Sequence, residues 1–243
     1  MKTKHFLISA LIILSVVFIG LQSLQLEMYA SGTRVVLMIL LIILYSHQVK
    51  PKNIYFVLFL ALFSLAQLLD FLGYFLRPGL SKEIDYLYYV GNGLNILSYT
   101  FLILKVLKGM NLKEVITKLP AHIVILVVLD FFCVTIITDA AQGLSIYEYS
   151  TEFLYNAVVM SVLTLAVINY IHKVNKKAMN LLLGSIFIVF SEMIQMAYFY
   201  VYDINVLNIL CSFFLVLAFL FLYLQASLEP AAEFNTFKEH LET

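Results

Sequence analysis

The chain has 243 residues, of which 63% are hydrophobic and 12% charged, and its formal net charge is zero. Mean hydropathy is +0.96. Soluble domains run nearer ~45–50% apolar and ~25% charged, so these proportions exclude a water-soluble globular enzyme and point to an all-α, polytopic membrane protein.

At ~20 apolar residues per crossing, about eight spans are predicted, at 6–24, 34–48, 53–76, 86–107, 119–138, 152–172, 178–202 and 205–226. The first follows Lys2, Lys4 and His5. Its apolar run is longer than a signal-peptide core and lacks a small-x-small cleavage site, so it is read as a retained helix. The second is short, begins near Tyr29, and has Arg34 snorkelling at its start. In the third, Gln67, Asp70 and Tyr74 share one helical face, and in the fourth Asn92, Asn95 and Tyr99 do. Gly91-Asn92-Gly93 is the one candidate for local unwinding. The fifth carries an isolated Asp130. The seventh places Glu192, Gln195, Tyr198 and Tyr202 within roughly 120° of one another. Asn208 lies near the start of the eighth. Pro51, Pro78, Pro120 and Pro230 fall in connections or at span starts. Residues 1–228 are read as one transmembrane bundle and 229–243 as a short polar cytoplasmic tail.

Lysines set the orientation. Lys2, Lys4, Lys50, Lys52, Lys105, Lys108, Lys113, Lys118, Lys173, Lys176 and Lys177 gather on one side of an eight-span chain. That side is expected to be cytoplasmic, with both termini on it. The opposite loops hold Asp139, Glu148, Glu152 and Asp203, with Arg34, Arg77 and Lys82 as the basic residues. Tyrosines at the outer span ends, among them Tyr86, Tyr88, Tyr147, Tyr149, Tyr198, Tyr200 and Tyr202, read as an interfacial aromatic belt. Leu94-Asn95-Ile96-Leu97 in the fourth span matches Leu207-Asn208-Ile209-Leu210 in the eighth. Phe63-Ser64 and Phe190-Ser191 match in the third and seventh. A four-plus-four parallel repeat accounts for both pairs.

An acid at the centre of a span costs at least ~2.5–3.5 kcal/mol and is a functional-site hypothesis by default. Asp70, Asp130 and Glu192 are three such acids, all placed between mid-membrane and its outer third. Polar stripes at matching depth predict one shared pocket. Two carboxylates held there without a cation do not both stay ionised, which leaves a neutral acid beside an anionic base. Arg34 is the nearest counter-ion or anionic-headgroup ligand. The bland reading of each acid, most of all Asp130, is a helix–helix hydrogen bond. Cys133 and Cys211 lie in apolar runs and none of the five histidines is mid-span, so neither a metal nor another cofactor is expected. No kinase, nucleotide-binding or DNA-binding segment is read after the last span, so nucleic acid is not an expected partner. The sequence names no protein partner. Without a lysine in its outer half, the seventh span offers no retinal Schiff base.

Gly184-Ser185-x-Phe187 leading to Ser191-Glu192, Ser64 before Asp70, and Arg34 opening the second span together resemble the YhhN-type membrane proteins, which include the animal lysoplasmalogenases. Glu192 stands where that family has Asp, and Asp70 falls two residues after the family position, at Leu68. Asn95 stands nearest the family's histidine, and Leu217 follows Phe213-Phe214 where the family has Gln or His. The resemblance implies hydrolysis of the vinyl ether of a lysophospholipid-like membrane lipid. Asp70 and Glu192 would be its acid and base, and Gln67, Asn95, Gln195, Asn208, Tyr99, Tyr198 and Arg34 would orient substrate or water. Two other classes fit the same residues: a non-catalytic lipid-binding or sensor-like member of the family, and a small-solute or proton-coupled permease.

Overall fold

A computed structural model describes residues 2–76, 85–141 and 143–228. Among the described residues the regular elements are helices: α1 (Lys2–Ser23), α2 (Glu27–Gln48), α3 (Ile54–Leu76), α4 (Tyr86–Lys108), α5 (Leu112–Lys118), α6 (Pro120–Ala140), α7 (Ile146–Lys173), α8 (Lys176–Tyr200) and α9 (Asn205–Ser227). All but α5 are long and apolar enough to cross a bilayer, giving the eight crossings of an integral, multi-pass membrane protein. Arg77, Pro78, Lys82, Pro230 and the tail from 229 lie outside the described residues.

Helix starts follow local capping chemistry. Asp85 Oδ1 accepts the Tyr88 N–H at 3.1 Å and so opens α4. Asn175 Oδ1 accepts the Ala178 N–H at 2.8 Å and opens α8. Ser145 and Glu148 form a reciprocal capping box, with the Ser145 N–H donating to Glu148 Oε2 at 2.8 Å. That box starts α7 at Ile146, a turn and a half before the expected 152. α2 starts at Glu27, close to the expected Tyr29 and two turns before the apolar run from 34, because those turns are polar enough to escape a count of apolar residues. The connection read as a loop between the fourth and fifth spans contains α5, capped by Asn111. Gly91-Asn92-Gly93 is not unwound; α4 runs through it as regular helix.

Seven helices close a ring in the order α1, α2, α3, α4, α7, α8, α9 and back to α1. α6 stands outside it, packed on α7 and burying only Val134 and Thr138. A four-plus-four duplication would make α6 the counterpart of α1, and α4 that of α9. α1 lies against α9, whereas the main contacts of α6 are with α5, α7 and α8, so neighbours differ at this pair. The closest approach in the ring is between α8 and α9. A Cβ on Gly184 would stand 3.0 Å from Leu222 Cδ2 and 3.3 Å from the Ala218 carbonyl oxygen.

The middle of the ring is plugged by aromatic rings. Phe59 stacks on Phe219 with centroids 5.8 Å apart, Phe63 meets Phe219 at 4.8 Å, and Tyr99 closes on Phe63 at 6.0 Å. All four are buried. Below the plug lies the lysine-rich end. There Lys105 sits 4.0 Å over the Phe56 ring and bonds Gln225, Lys108 bonds Tyr55, and Lys177 donates to the Leu228 carbonyl at 2.8 Å.

Candidate functional site

Above the plug, at the end away from the lysines, the ring encloses a chamber of about 540 Å³. Every ring helix contributes to its wall: Gln22 from α1; Glu27, Ser31 and Arg34 from α2; Phe63, Gln67, Asp70 and Tyr74 from α3; Tyr88, Gly91, Asn92 and Asn95 from α4. Glu152, Tyr155 and Asn156 come from α7, Glu192, Gln195, Met196, Tyr198 and Tyr200 from α8, and Asn208, Cys211, Ser212 and Leu215 from α9. The polar faces read at helical spacing on α3 and α4 therefore do turn inward. Of the expected site residues, Asp70, Glu192, Gln67, Asn95, Gln195, Asn208, Tyr198 and Arg34 line this one cavity. Tyr99 does not line it: the side chain is fully buried, and its hydroxyl donates to Glu192 Oε1.

Glu192 is held from the middle of α4: its Oε1 accepts the Tyr99 hydroxyl at 2.6 Å, and Tyr155 stands beside it in the chamber wall. Tyr99 and Tyr155 meet edge to face at 6.2 Å, so two rings from α4 and α7 clamp an acid from α8. A second clamp repeats the pattern. Glu152 Oε1 accepts the Tyr88 hydroxyl at 2.6 Å and the Tyr200 hydroxyl at 3.3 Å. At the mouth, Glu27 accepts the Tyr198 hydroxyl at 2.8 Å, and Asn208 donates to Gln22 at 3.3 Å.

Asp70 has a different kind of partner. Arg34 Nη2 approaches its Oδ2 at 3.5 Å. Gly32 and Phe71 permit this, since a Cβ on Gly32 would stand 3.1 Å from the Phe71 ring and hold α2 away from α3. Four carboxylates (Glu27, Asp70, Glu152 and Glu192) thus share the chamber with one guanidinium. On the α2–α3–α4 side, Ser31 Oγ, Arg34 Nε, Gln67 Oε1 and Asn95 Oδ1 are buried and accept or donate no hydrogen bond among the described residues. Buried polar atoms are ordinarily paired, so such a group of orphans marks a place built for a polar ligand.

Several expectations are corrected. Asp130 does not reach the chamber; it sits on the peripheral α6, on the side of Thr164 of α7. Tyr202 falls beyond the end of α8 and is exposed, so the stripe on that helix stops at Tyr198. The tyrosine belt divides. Tyr86, Tyr147 and Tyr202 are exposed as a belt requires, while Tyr88, Tyr198 and Tyr200 turn inward onto carboxylates. Tyr149 bonds Asp139 of α6 at 2.7 Å. Glu152, taken for an outer-loop acid, is 8% exposed and belongs to the site. The capping box was the readable signal: with α7 begun at 146, Glu152, Tyr155, Asn156 and Val159 fall on one face.

No family model, no curated protein and no solved structure matches this chain.

Proposed function

We propose that the protein is an intramembrane hydrolase that cleaves the vinyl ether of a lysophospholipid-like membrane lipid. The observation that carries this reading is the meeting of carboxylates from separate helices, Asp70, Glu152 and Glu192, in one chamber within the bundle. The reaction type comes from the resemblance to the YhhN-type proteins. The unpaired Nε edge of Arg34 suits a phosphate, which a guanidinium grips through two parallel N–H groups. Phe63, Met196 and Leu215 supply an apolar wall for the alkenyl chain. With the lysines at the opposite end, the positive-inside rule puts the mouth on the extracytoplasmic side and both termini in the cytoplasm.

The chemistry needs only two carboxyl groups and water. A neutral carboxyl gives its proton to the vinyl carbon distal to oxygen, and the π pair forms the new C–H bond. The ether carbon becomes oxocarbenium-like. An ionised carboxylate takes a proton from water as the water oxygen bonds that carbon. The resulting hemiacetal returns its hydroxyl proton to the first carboxylate. The second carboxyl protonates the departing alkoxy oxygen as the C–O bond breaks. Aldehyde and alcohol leave, and both carboxyls regain their starting states.

A permease is disfavoured because the chamber is blind: the Phe59, Phe63, Tyr99 and Phe219 rings fill the path below it. Lipid binding without cleavage is the second reading, favoured by the Tyr99 hydroxyl already seated on Glu192. Purified protein in liposomes containing a 1-alkenyl lysophospholipid tests these readings through release of free aldehyde. Glu192→Gln is expected to lose about 10²–10⁴-fold, the range for a general acid. Asp130→Asn is expected to release aldehyde at the wild-type rate. A wild-type protein that carries the lipid through purification and releases no aldehyde overturns the hydrolase and leaves the binder.

A further inference from the structure

We propose that Glu152, not Asp70, is the carboxylate that activates water opposite Glu192, while Asp70 positions Arg34. This inference rests on the hydrolase reading and assigns its second acid.

Asp70 is poorly placed to act as the base. Its Oδ2 faces the guanidinium at 3.5 Å, and a base that takes a proton there loses the charge that holds Arg34. Its side chain is also 44% exposed, against 15% for Arg34, which puts it at the rim of the cavity. Glu152 has the opposite setting. It is 8% exposed and lines the chamber. Both of its phenol donors go to Oε1, and Oε2 takes neither. One oxygen is therefore anchored and the other is left to accept from water. A general base needs this combination: fixed orientation and an accepting lone pair.

The two acids are linked through α7: Tyr155, which lines the chamber beside Glu192 and meets Tyr99 edge to face, lies three residues after Glu152 on the same helical face. Their phenol partners on α4 set their order along the bundle, since Tyr88 lies in its first turn and Tyr99 near its middle. Glu192 is then the donor at mid-bundle that meets the alkenyl carbon, and Glu152 is the acid nearer the outer end, where water enters. The titratable groups around Glu152 are Tyr88 from α4, Tyr200 and Glu192 from α8, and Glu148 and Tyr155 from its own helix. Across α7, Asp139 of α6 is engaged with Tyr149.

The test is aldehyde release by wild type, Glu152→Gln, Glu152→Asp and Asp70→Asn across pH, with kcat and KM separated. Glu152→Gln is expected to lower kcat by about 10²–10⁴-fold and to abolish the acidic limb of the profile, because no group remains to be lost by protonation. Glu152→Asp keeps the limb at reduced kcat, which separates a missing base from a misfolded chain. Asp70→Asn raises KM and leaves the limb in place. The assignment is overturned if Glu152→Gln retains kcat and the acidic limb, or if Asp70→Asn loses both. A wild-type protein without aldehyde release defeats the hydrolase reading itself, and that outcome is visible before any variant is compared.

Discussion

Tyr99→Phe interrogates the floor of the chamber with a single atom. The ring that meets Phe59 at 6.1 Å and Phe63 at 6.0 Å is kept, so the plug is preserved and the hydroxyl alone is lost. That hydroxyl donates to Glu192 Oε1 at 2.6 Å. A hydrogen bond between neutral groups contributes about 0.5–1.5 kcal/mol, and one to a charged group about 1.5–3 kcal/mol. The proposed chemistry has Glu192 resting as a neutral acid, so the expected cost is about 1 kcal/mol, a roughly five-fold fall in the folded-to-unfolded ratio. The carboxyl still opens on the chamber in the variant, so no sealed, orphaned acid adds to that figure. The assay is unfolding in mixed micelles by SDS titration, followed by circular dichroism. In a Glu192→Gln background the same substitution should cost an equal amount to within about 0.5 kcal/mol, because both pairs are neutral. A cost above about 2.5 kcal/mol means the hydroxyl meets an anion, and Glu192 is then not the resting acid. A cost below about 0.3 kcal/mol means the bond contributes nothing.

Gly184→Ala should destabilise by about 1–3 kcal/mol in the same titration, because the new methyl is caught between Leu222 and the Ala218 carbonyl, and the carbonyl cannot move aside. Gly20→Ala is the contrasting case. Nothing lies within 4 Å of that Cβ, and the α1 helix should gain about 0.5–1 kcal/mol. Outside the spans, the Glu114 carboxyl is held below its ordinary value of 4.5 by the hydrogen bond and charge of Lys118. A depressed folded value means its contribution is fully present above 4.5 and fades as pH falls through the folded value. The protection factor over 112–118, exchange relative to an unstructured chain at the same pH, should therefore fall at acid pH, and Lys118→Met should flatten that dependence. An unchanged protection factor across this window removes the pair from the account of α5.

The crossings were legible because runs of about 20 apolar residues have few other uses. Inward faces were legible too, because Gln67, Asp70 and Tyr74 repeat at helical spacing. Asp130 lacked that support: one turn on either side stand Leu126, Val127, Cys133 and Val134, all apolar. A lone acid without a stripe fits a single bond between helices, and that is where the structure puts it, beside Thr164. The place of α6 outside the ring was not legible, since its apolar run resembles those of the ring helices. Its 21 residues carry no polar stripe because it has no chamber to face. The tyrosines were ambiguous for a physical reason. Phenols suit both a lipid interface and a buried carboxylate, and only the neighbouring helix decides between them. α7 hid its share of the site behind Ile146–Thr151, a first turn and a half too polar to count as membrane.

The chamber divides into two unlike halves, and the division bears on what occupies it. On the α7–α8 side each acid of the wall has a hydroxyl donor: Tyr88 and Tyr200 on Glu152, Tyr99 on Glu192. On the α2–α3–α4 side four buried polar atoms have none. Each unmet group costs about 1–3 kcal/mol in a dry interior, which a chain packed only for stability would have relieved by apolar substitution. Two of the four, Gln67 Oε1 and Asn95 Oδ1, are acceptors, while Arg34 Nε–H and the Ser31 hydroxyl can donate. That side therefore offers a ligand both donors and acceptors, opposite a wall of acids. Water alone would satisfy such a wall without needing a guanidinium that is also tied to Asp70. A lipid headgroup whose oxyanion accepts from Arg34 Nε and Ser31 Oγ and whose hydroxyl donates to Gln67 or Asn95, with its apolar chain against Phe63 and Leu215, meets both kinds of orphan and leaves the clamped acids facing the bond next to it. The polarity that makes this bundle costly in a membrane is thereby placed where an amphipathic lipid, and not a symmetric solute, compensates it.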